Sequence, residues 1–399
     1  MKKTINNLMT VFGIILLGLF FSSVIFAKET KMHGLLRITT FGTGASSYFM
    51  SIPIGESIKK QTGLDVRVIP SGTDMGRILP VREKEADLTF SMHSAAYYAT
   101  HAWSEYSKPN WGPQPLRIVY RGLNFVMGPM TRANSGIKEL TADKLRGKRF
   151  PYVPGNPSGN ACNLALLRFA NLTWDDVKKV TLSSWSTAMQ SVLEGSCDVA
   201  YSSVWTASAI ELQASPHGIY WIPMPVQNKQ GWKQVQEEMP YASPILAKEG
   251  AGISAQNPVE LLAYGESLFS YPWFPEEVAY TVAKAMWYGY DDYKDKHPNC
   301  KDWRHENASN WESLTVCPYP YHPGSIKFFK EIGVWSEKNE KWQKEQIMLE
   351  KERVHAWNAA KEDAKSKKIE VGGEGWEKFW RDYLQKWLQK IEAPYSYFK

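Results

Sequence analysis

The sequence has 399 residues, a length that suits two or three domain-sized units, with 47 Lys plus Arg against 41 Asp plus Glu and a net charge of +6. That excess is small and evenly spread, which excludes nucleic acid as a partner class. The 17 Trp, 20 Tyr and 16 Phe supply ample apolar surface for a large core.

In chain order, Lys2 and Lys3 precede an apolar stretch from about Leu8 to Phe26, then small residues up to Ala27 and polar sequence from Lys28. That order predicts a signal peptide over residues 1–27 and an exported chain, with a retained anchor helix as the alternative. Removing it takes two lysines and no acid, leaving 45 basic against 41 acidic residues, a net charge of +4.

The next stretch alternates strand and helix. Strands are predicted over Leu35–Phe41, Leu64–Ile69, Asp87–Met92 and Leu116–Tyr120. Helices are predicted over Tyr48–Gln61, Met75–Glu85 and Ala95–Tyr106. A second set follows, with strands at Lys148–Val153 and Asp198–Ser203 and helices at Asn160–Phe169, Thr187–Leu193 and Thr206–Ala214. Units of this length predict mostly parallel sheets covered by helices. The chain divides into lobe 1 (28–122, completed by part of 242–335), lobe 2 (123–241) and a helical C-terminal extension (336–399). The crossings between lobes are expected in Gly122–Gly136 and Ile219–Tyr241. In the extension, Gly333–Ser366 is charged and helical. Trp376, Phe379, Trp380, Tyr383, Leu384, Trp387, Leu388 and Ile391 then recur at helical spacing on one face, so Gly375–Ile391 predicts an amphipathic helix. Its stripe should pack on lobe 1 or the preceding helix, with membrane or partner docking as the alternative.

Six turns fall at the C-terminal ends of predicted strands, where open α/β sheets bind ligands. The first, Gly42-Thr43-Gly44-Ala45-Ser46-Ser47-Tyr48, offers peptide N–H groups at a helix start. As a dinucleotide fingerprint it fails, because Ser47 stands where the third glycine belongs. The others are Pro70-Ser71-Gly72-Thr73-Asp74, Met92-His93-Ser94, Pro154-Gly155-Asn156-Pro157-Ser158-Gly159-Asn160, Ser184-Trp185-Ser186 and Ser202-Ser203-Val204-Trp205. Candidate ligand-binding residues are therefore Thr43, Gly44, Ser46, Ser47, Tyr48, Ser71, Gly72, Thr73, His93, Asn156, Ser158, Gly159, Asn160, Trp185, Ser203 and Trp205. For Arg77 and Arg121 a solvated or ion-paired role is expected. The helix starts point to an anion, and Tyr48, Phe49, Trp185 and Trp205 to an apolar or aromatic-compatible body.

No nucleophile elbow, metal-ligand spacing or cofactor motif accompanies these turns, so neither catalysis nor a cofactor is expected. Cys162, Cys197, Cys300 and Cys317 fit no zinc pattern. An exported chain favours disulfides, and of the three pairings open to four cysteines, Cys162–Cys197 with Cys300–Cys317 is expected.

Several blocks together resemble the TAXI family, the extracytoplasmic solute-binding proteins of tripartite ATP-independent periplasmic (TRAP) transporters. They are Gly42-Thr43-Gly44 with Tyr48-Phe49, Ser71-Gly72, and Glu85-Ala86-Asp87-Leu88. Ser135 to Leu140 with Leu145 to Arg149, Leu193 to Ala200, and His322 to Ile326 complete the set. The resemblance covers roughly 35–335. Ser46-Ser47 departs from the family, which has a further Gly before the aromatic pair, and the tail beyond Ser336 is longer than its norm. The resemblance implies two type II periplasmic-binding lobes, a small organic anion (carboxylate, amino acid or oxoacid) as ligand, a TRAP membrane subunit as partner and a periplasmic location. The rival classes are an exported enzyme on the same fold and an envelope or lipid-interaction protein.

Overall fold

A computed structural model of the chain describes residues 34–122, 125–308 and 319–391. The expected signal peptide and Cys317 lie outside these residues. The strands in chain order are β1 (Leu35–Phe41), β2 (Asp65–Ser71), β3 (Leu88–Met92), β4 (Arg117–Arg121), β5 (Phe125–Arg132) and β6 (Arg149–Tyr152). They continue with β7 (Lys178–Thr181), β8 (Ala200–Ser203), β9 (Ile219–Trp221), β10 (Ser243–Ala247), β11 (Val259–Tyr264) and β12 (Glu266–Ser270). One sheet has the order β2-β1-β3-β12-β4, the other β10-β11-β5-β8 with β9 also on β5, and β6 pairs with β7.

The first sheet is mixed. β1 runs parallel to β2 and β3, while β12 is antiparallel to β3 and β4. β3 is buried along its whole length, as a strand covered on both faces must be. The second lobe departs from the parallel expectation, since β8, β9 and β11 all run antiparallel to β5. β5 is the strand that carries the chain into this lobe, so its direction opposes that of the strands beside it. Parallel pairing survives there in β6 and β7.

The chain crosses between sheets twice. The first crossing follows Arg121, at the start of the expected segment. The second is at Gly265, between β11 and β12, not within Ile219–Tyr241. That latter segment forms β9 and the helix Lys229–Glu238, which buries Trp232 and Val235 in lobe 2. Lobe 2 therefore extends to Tyr264. The two crossings lie side by side, since Gly122 N donates to Glu266 O at 3.0 Å and His93 N donates to Gly265 O at 2.9 Å. A Cβ on Gly265 would sit 2.4 Å from the His93 ring, so only glycine fits.

The extension contains helices Glu337–Ser366, opened by a capping box at Ser336, and Trp376–Lys390. Trp376, Trp380, Leu384 and Leu388 are buried along one stripe. Trp376 Nε1 donates to Ser107 O at 2.7 Å and Trp380 Nε1 to His101 O at 2.8 Å, and both rings meet Trp357 edge-on. Arg117 of β4 makes a bidentate pair with Glu350. The stripe is thus enclosed by lobe 1 and the preceding helix. Among the described residues no helix is long and apolar enough to cross a membrane.

The expected Cys162–Cys197 bridge is not made; both residues are buried free thiols, as is Cys300. Cys162 packs 3.6 Å from the Tyr264 hydroxyl, in a different neighbourhood from Cys197, which follows the helix Trp185–Glu194. Burial pushes the Cys162 thiol up to about 12.

Candidate functional site

The turns at the strand ends of the two lobes meet directly. Trp185 N of lobe 2 donates to Gly72 O of lobe 1 at 2.9 Å, and Ala207 N to Gly44 O at 3.1 Å. Met75 N donates to Gly155 O at 3.2 Å, and the Ser46 hydroxyl to Ser203 Oγ at 3.3 Å. The approach is close enough that a Cβ on Gly72 would lie 2.7 Å from Ser184 Cβ. Between them remains a space of about 10 Å³, lined among others by Phe41, Ser46, Ser47, Met92, Trp185 and Ser203. That is room for about one water molecule.

Asp74 closes the second of the predicted turns but was not among the candidate ligand-binding residues, and it is the polar centre of this junction. It opens the helix Asp74–Arg82, and its backbone N–H donates to Asn156 Oδ1 at 3.0 Å. Its carboxylate accepts from Ser158 N at 2.9 Å, at the start of the lobe 2 helix Pro157–Phe169. The helix terminus expected to hold a ligand anion is therefore held by the protein's own carboxylate. The other oxygen pairs with Arg77 at 2.6 Å, and both side chains are fully buried. Arg77 also donates to Phe90 O and lies 3.4 Å over the Phe41 ring. Arg77 is thus ion-paired as expected but not solvated, and Arg121 is buried too.

Glu266 is the second acid that sequence reasoning missed. It is fully buried next to the Gly265 crossing, and neither carboxylate oxygen has a partner in hydrogen-bonding geometry. Burial raises its pKa to about 7, against the opposing pulls of Ser47 and Arg77. The Ser47 and Ser186 hydroxyls are buried and unpartnered as well. The signal was present in Leu261 to Ser270, where Glu266 is the one charged residue in a stretch of apolar and small residues.

The remaining candidates divide. Gly44, Ser46, Ser47, Gly72, Asn156, Ser158, Gly159, Trp185 and Ser203 converge on the junction, with Gly159 against the Trp185 ring. Ser71 and Thr73 flank it half-buried, and Thr73 caps the Asp74–Arg82 helix through Gly76 N. Thr43 is exposed, while Tyr48 and Trp205 are half-buried. Phe49 points outward and stacks on His297. Asn160 is engaged twice with the Val153 backbone, which fixes the Pro154–Asn156 turn. His93 binds Ser267 at 2.9 Å below the crossing; burial first, and the Arg121 charge second, hold its pKa well below the usual imidazole range.

A larger cavity of about 630 Å³ lies elsewhere, between Tyr97 and Trp103 of lobe 1, Trp232 of lobe 2 and Arg381 and Leu384 of the tail helix. None of the predicted turns lines it, and of its lining residues only Trp103 carries a buried unpartnered atom, Nε1, whereas several such groups gather at the strand-end turns, so the interlobe junction is the stronger candidate. Among the described residues no group of three His, Cys, Asp or Glu could hold a metal ion.

Comparison with solved structures gives low identities over most of the chain. The periplasmic binding protein BugD is 12% identical, with a TM-score of 0.52, over 75% of this chain and 98% of that one. MatC from Rhodopseudomonas palustris, solved with malate, is 14% identical at a TM-score of 0.49, over 78% and 98%. A binding protein component of a phosphonate ABC transporter from Pseudomonas aeruginosa is 14% identical at 0.45, over 90% and 98%. BugD carries the fold likeness, two lobes of the periplasmic-binding type. No curated protein matches. The NMT1-like family matches residues 38–333, well over half of the sequence and nearly the span of the TAXI-like blocks, and the chain belongs to that family.

Proposed function

We propose that this protein is an extracytoplasmic solute-binding protein. It captures a small organic anion between its lobes and delivers it, without chemistry, to a membrane transporter of the TRAP type. The observation that carries this reading is the junction itself. Two lobes joined by adjacent crossings at Gly122 and Gly265 close over strand-end turns through reversible hydrogen bonds. Such a pair of crossings is a hinge, and closing it buries whatever the turns hold. The helix Ser46–Thr62 has no side-chain cap, so its first turn offers peptide N–H groups to an acid group. The finer likeness to the TAXI blocks supplies the TRAP partner and the choice among carboxylate, amino acid and oxoacid. Incubation with a panel of small carboxylates, followed by calorimetry and mass spectrometry, tests the reading. Tight binding with unchanged ligand is expected. Turnover supports an exported enzyme instead, and preference for a neutral sugar or a polyamine over every carboxylate refutes anion capture.

A further inference from the structure

Glu266 is oriented by its strand. In the antiparallel pairing of β12 with β3 it stands opposite Met92, so the two side chains leave the same face of the sheet. Met92 lines the space between the lobes together with Ser46, Ser47 and Trp185. Glu266 therefore faces the floor of the cleft. Ser47 acts on it closely enough to favour its charged form, yet the hydroxyl and both carboxylate oxygens lack a partner in hydrogen-bonding geometry. Arg77 is already neutralised by Asp74. A buried carboxyl with unmade hydrogen bonds opposes folding, and such groups concentrate where a ligand completes them.

Ser46 and Ser47 also open a 17-residue helix whose N-terminus no side chain caps. The cleft floor thus sets a positive helix end beside an unpaired carboxyl. An anion alone satisfies the first and repels the second. A ligand with an acid group and an adjacent ammonium satisfies both, since the acid accepts from the peptide N–H groups and the ammonium donates to Glu266 and Ser47 Oγ. A hydroxyl in its place donates one hydrogen bond. A keto oxygen donates none and faces a carboxylate.

We infer that Glu266 is a specificity-determining residue of the cleft, selecting a ligand that carries a protonated nitrogen beside its acid group over the same skeleton with a hydroxyl or keto oxygen. The inference rests on the cleft being the binding site proposed above. Matched trios test it by calorimetry on the full chain at pH 7.5: glutamate, 2-hydroxyglutarate and 2-oxoglutarate; alanine, lactate and pyruvate; leucine and its hydroxy and keto analogues. In at least one trio the amine should bind about tenfold or more tightly than the keto acid. Glu266→Gln should erase that preference by weakening the amine and sparing the keto acid, and Ser47→Ala should narrow it. Equal or tighter binding of the keto acid by the unaltered protein overturns the inference while leaving capture standing, and that comparison needs no variant to fold. A preference that survives Glu266→Gln overturns it equally. Binding of no member of any trio, with another carboxylate bound, also defeats the inference alone, whereas binding of no carboxylate at all defeats the capture reading with it.

Discussion

Replacing Asp74 by Asn keeps the side chain's shape and removes its charge. In the structure that charge meets Arg77 at 2.6 Å, with both groups fully buried, and accepts from Ser158 N at 2.9 Å. Breaking a buried pair from one side costs about 3–5 kcal/mol, because the remaining charge is left uncompensated. An amide can still accept one of the two hydrogen bonds, so the Ser158 contact adds little beyond this range, and the expected loss is about 4 kcal/mol. Against the usual 5–15 kcal/mol of total stability, that is a large fraction. Urea unfolding followed by tryptophan fluorescence reads it as a lower midpoint at unchanged slope. Asp74→Asn combined with Arg77→Met removes the orphaned guanidinium and should recover most of the loss, to within about 1–2 kcal/mol of the unaltered protein. A single-variant loss below about 1 kcal/mol, or a double variant no better than the single, refutes the argument.

Three further outcomes follow from the same structure. Trp380→Ala removes a fully buried indole and its hydrogen bond to His101 O, so it should destabilise by about 3–5 kcal/mol in thermal or urea unfolding; a loss near zero would mean the tail helix is not held on lobe 1. Glu266 has a folded-state pKa raised to about 7, so folding takes up a proton. Its favourable contribution is complete below about pH 4.5 and fades as pH rises through 7, by on the order of 3 kcal/mol. The stability difference between the protein and Glu266→Gln isolates this slope from the buried histidines, which act in the opposite sense, and a pH-independent difference would refute it. Cys162 and Cys197 should resist a thiol reagent in the native state and both react on unfolding without reductant; their silence after unfolding would restore the disulfide.

Local chemistry was legible in the sequence and cross-chain geometry was not. Leu35–Phe41 is the first strand in both readings, and the helix that follows stops at Gly63, whose φ of +79° is the left-handed turn glycine supplies. The spacing of the tail stripe announced an apolar face, but of its eight residues Trp376, Trp380, Leu384 and Leu388 are buried while Phe379, Tyr383, Trp387 and Ile391 are half-buried, a division that spacing alone does not make. The return crossing was hidden because Gly265 is flanked on both sides by strand-like sequence, Leu261 to Tyr264 and Ser267 to Ser270, with no run of turn residues to mark a break; only the His93 ring beside it shows why glycine is required there. The Cys162–Cys197 pairing failed for the same reason. Spacing along the chain says nothing of Cys162 packing against Tyr264 rather than Cys197. Turn chemistry identified the converging loops but not their occupant, since Asp74 reaches Ser158 only once the lobes meet.

That last contact bears on how a ligand would drive the hinge closure proposed above. The bonds between Gly72 and Trp185, Gly44 and Ala207, Gly155 and Met75, and Ser46 and Ser203 each stabilise the closed form by about 0.5–1.5 kcal/mol, because water replaces them when the lobes part. The Asp74 to Ser158 bond is charge-assisted and somewhat stronger, but Asp74 keeps Arg77 when the lobes open, so opening leaves no charge alone. Against them stand Ser47, Ser186 and Glu266, whose polar atoms are buried without partners in the closed form. A buried polar group left without a partner costs about 1–3 kcal/mol, so these groups offset part of what the interlobe bonds contribute. Driving a two-state equilibrium from 1:99 to 99:1 takes about 5.5 kcal/mol of differential affinity. A ligand that completes the unpartnered groups adds to that difference, so the polar atoms left without partners at the junction are the ones through which closure can depend on what is bound.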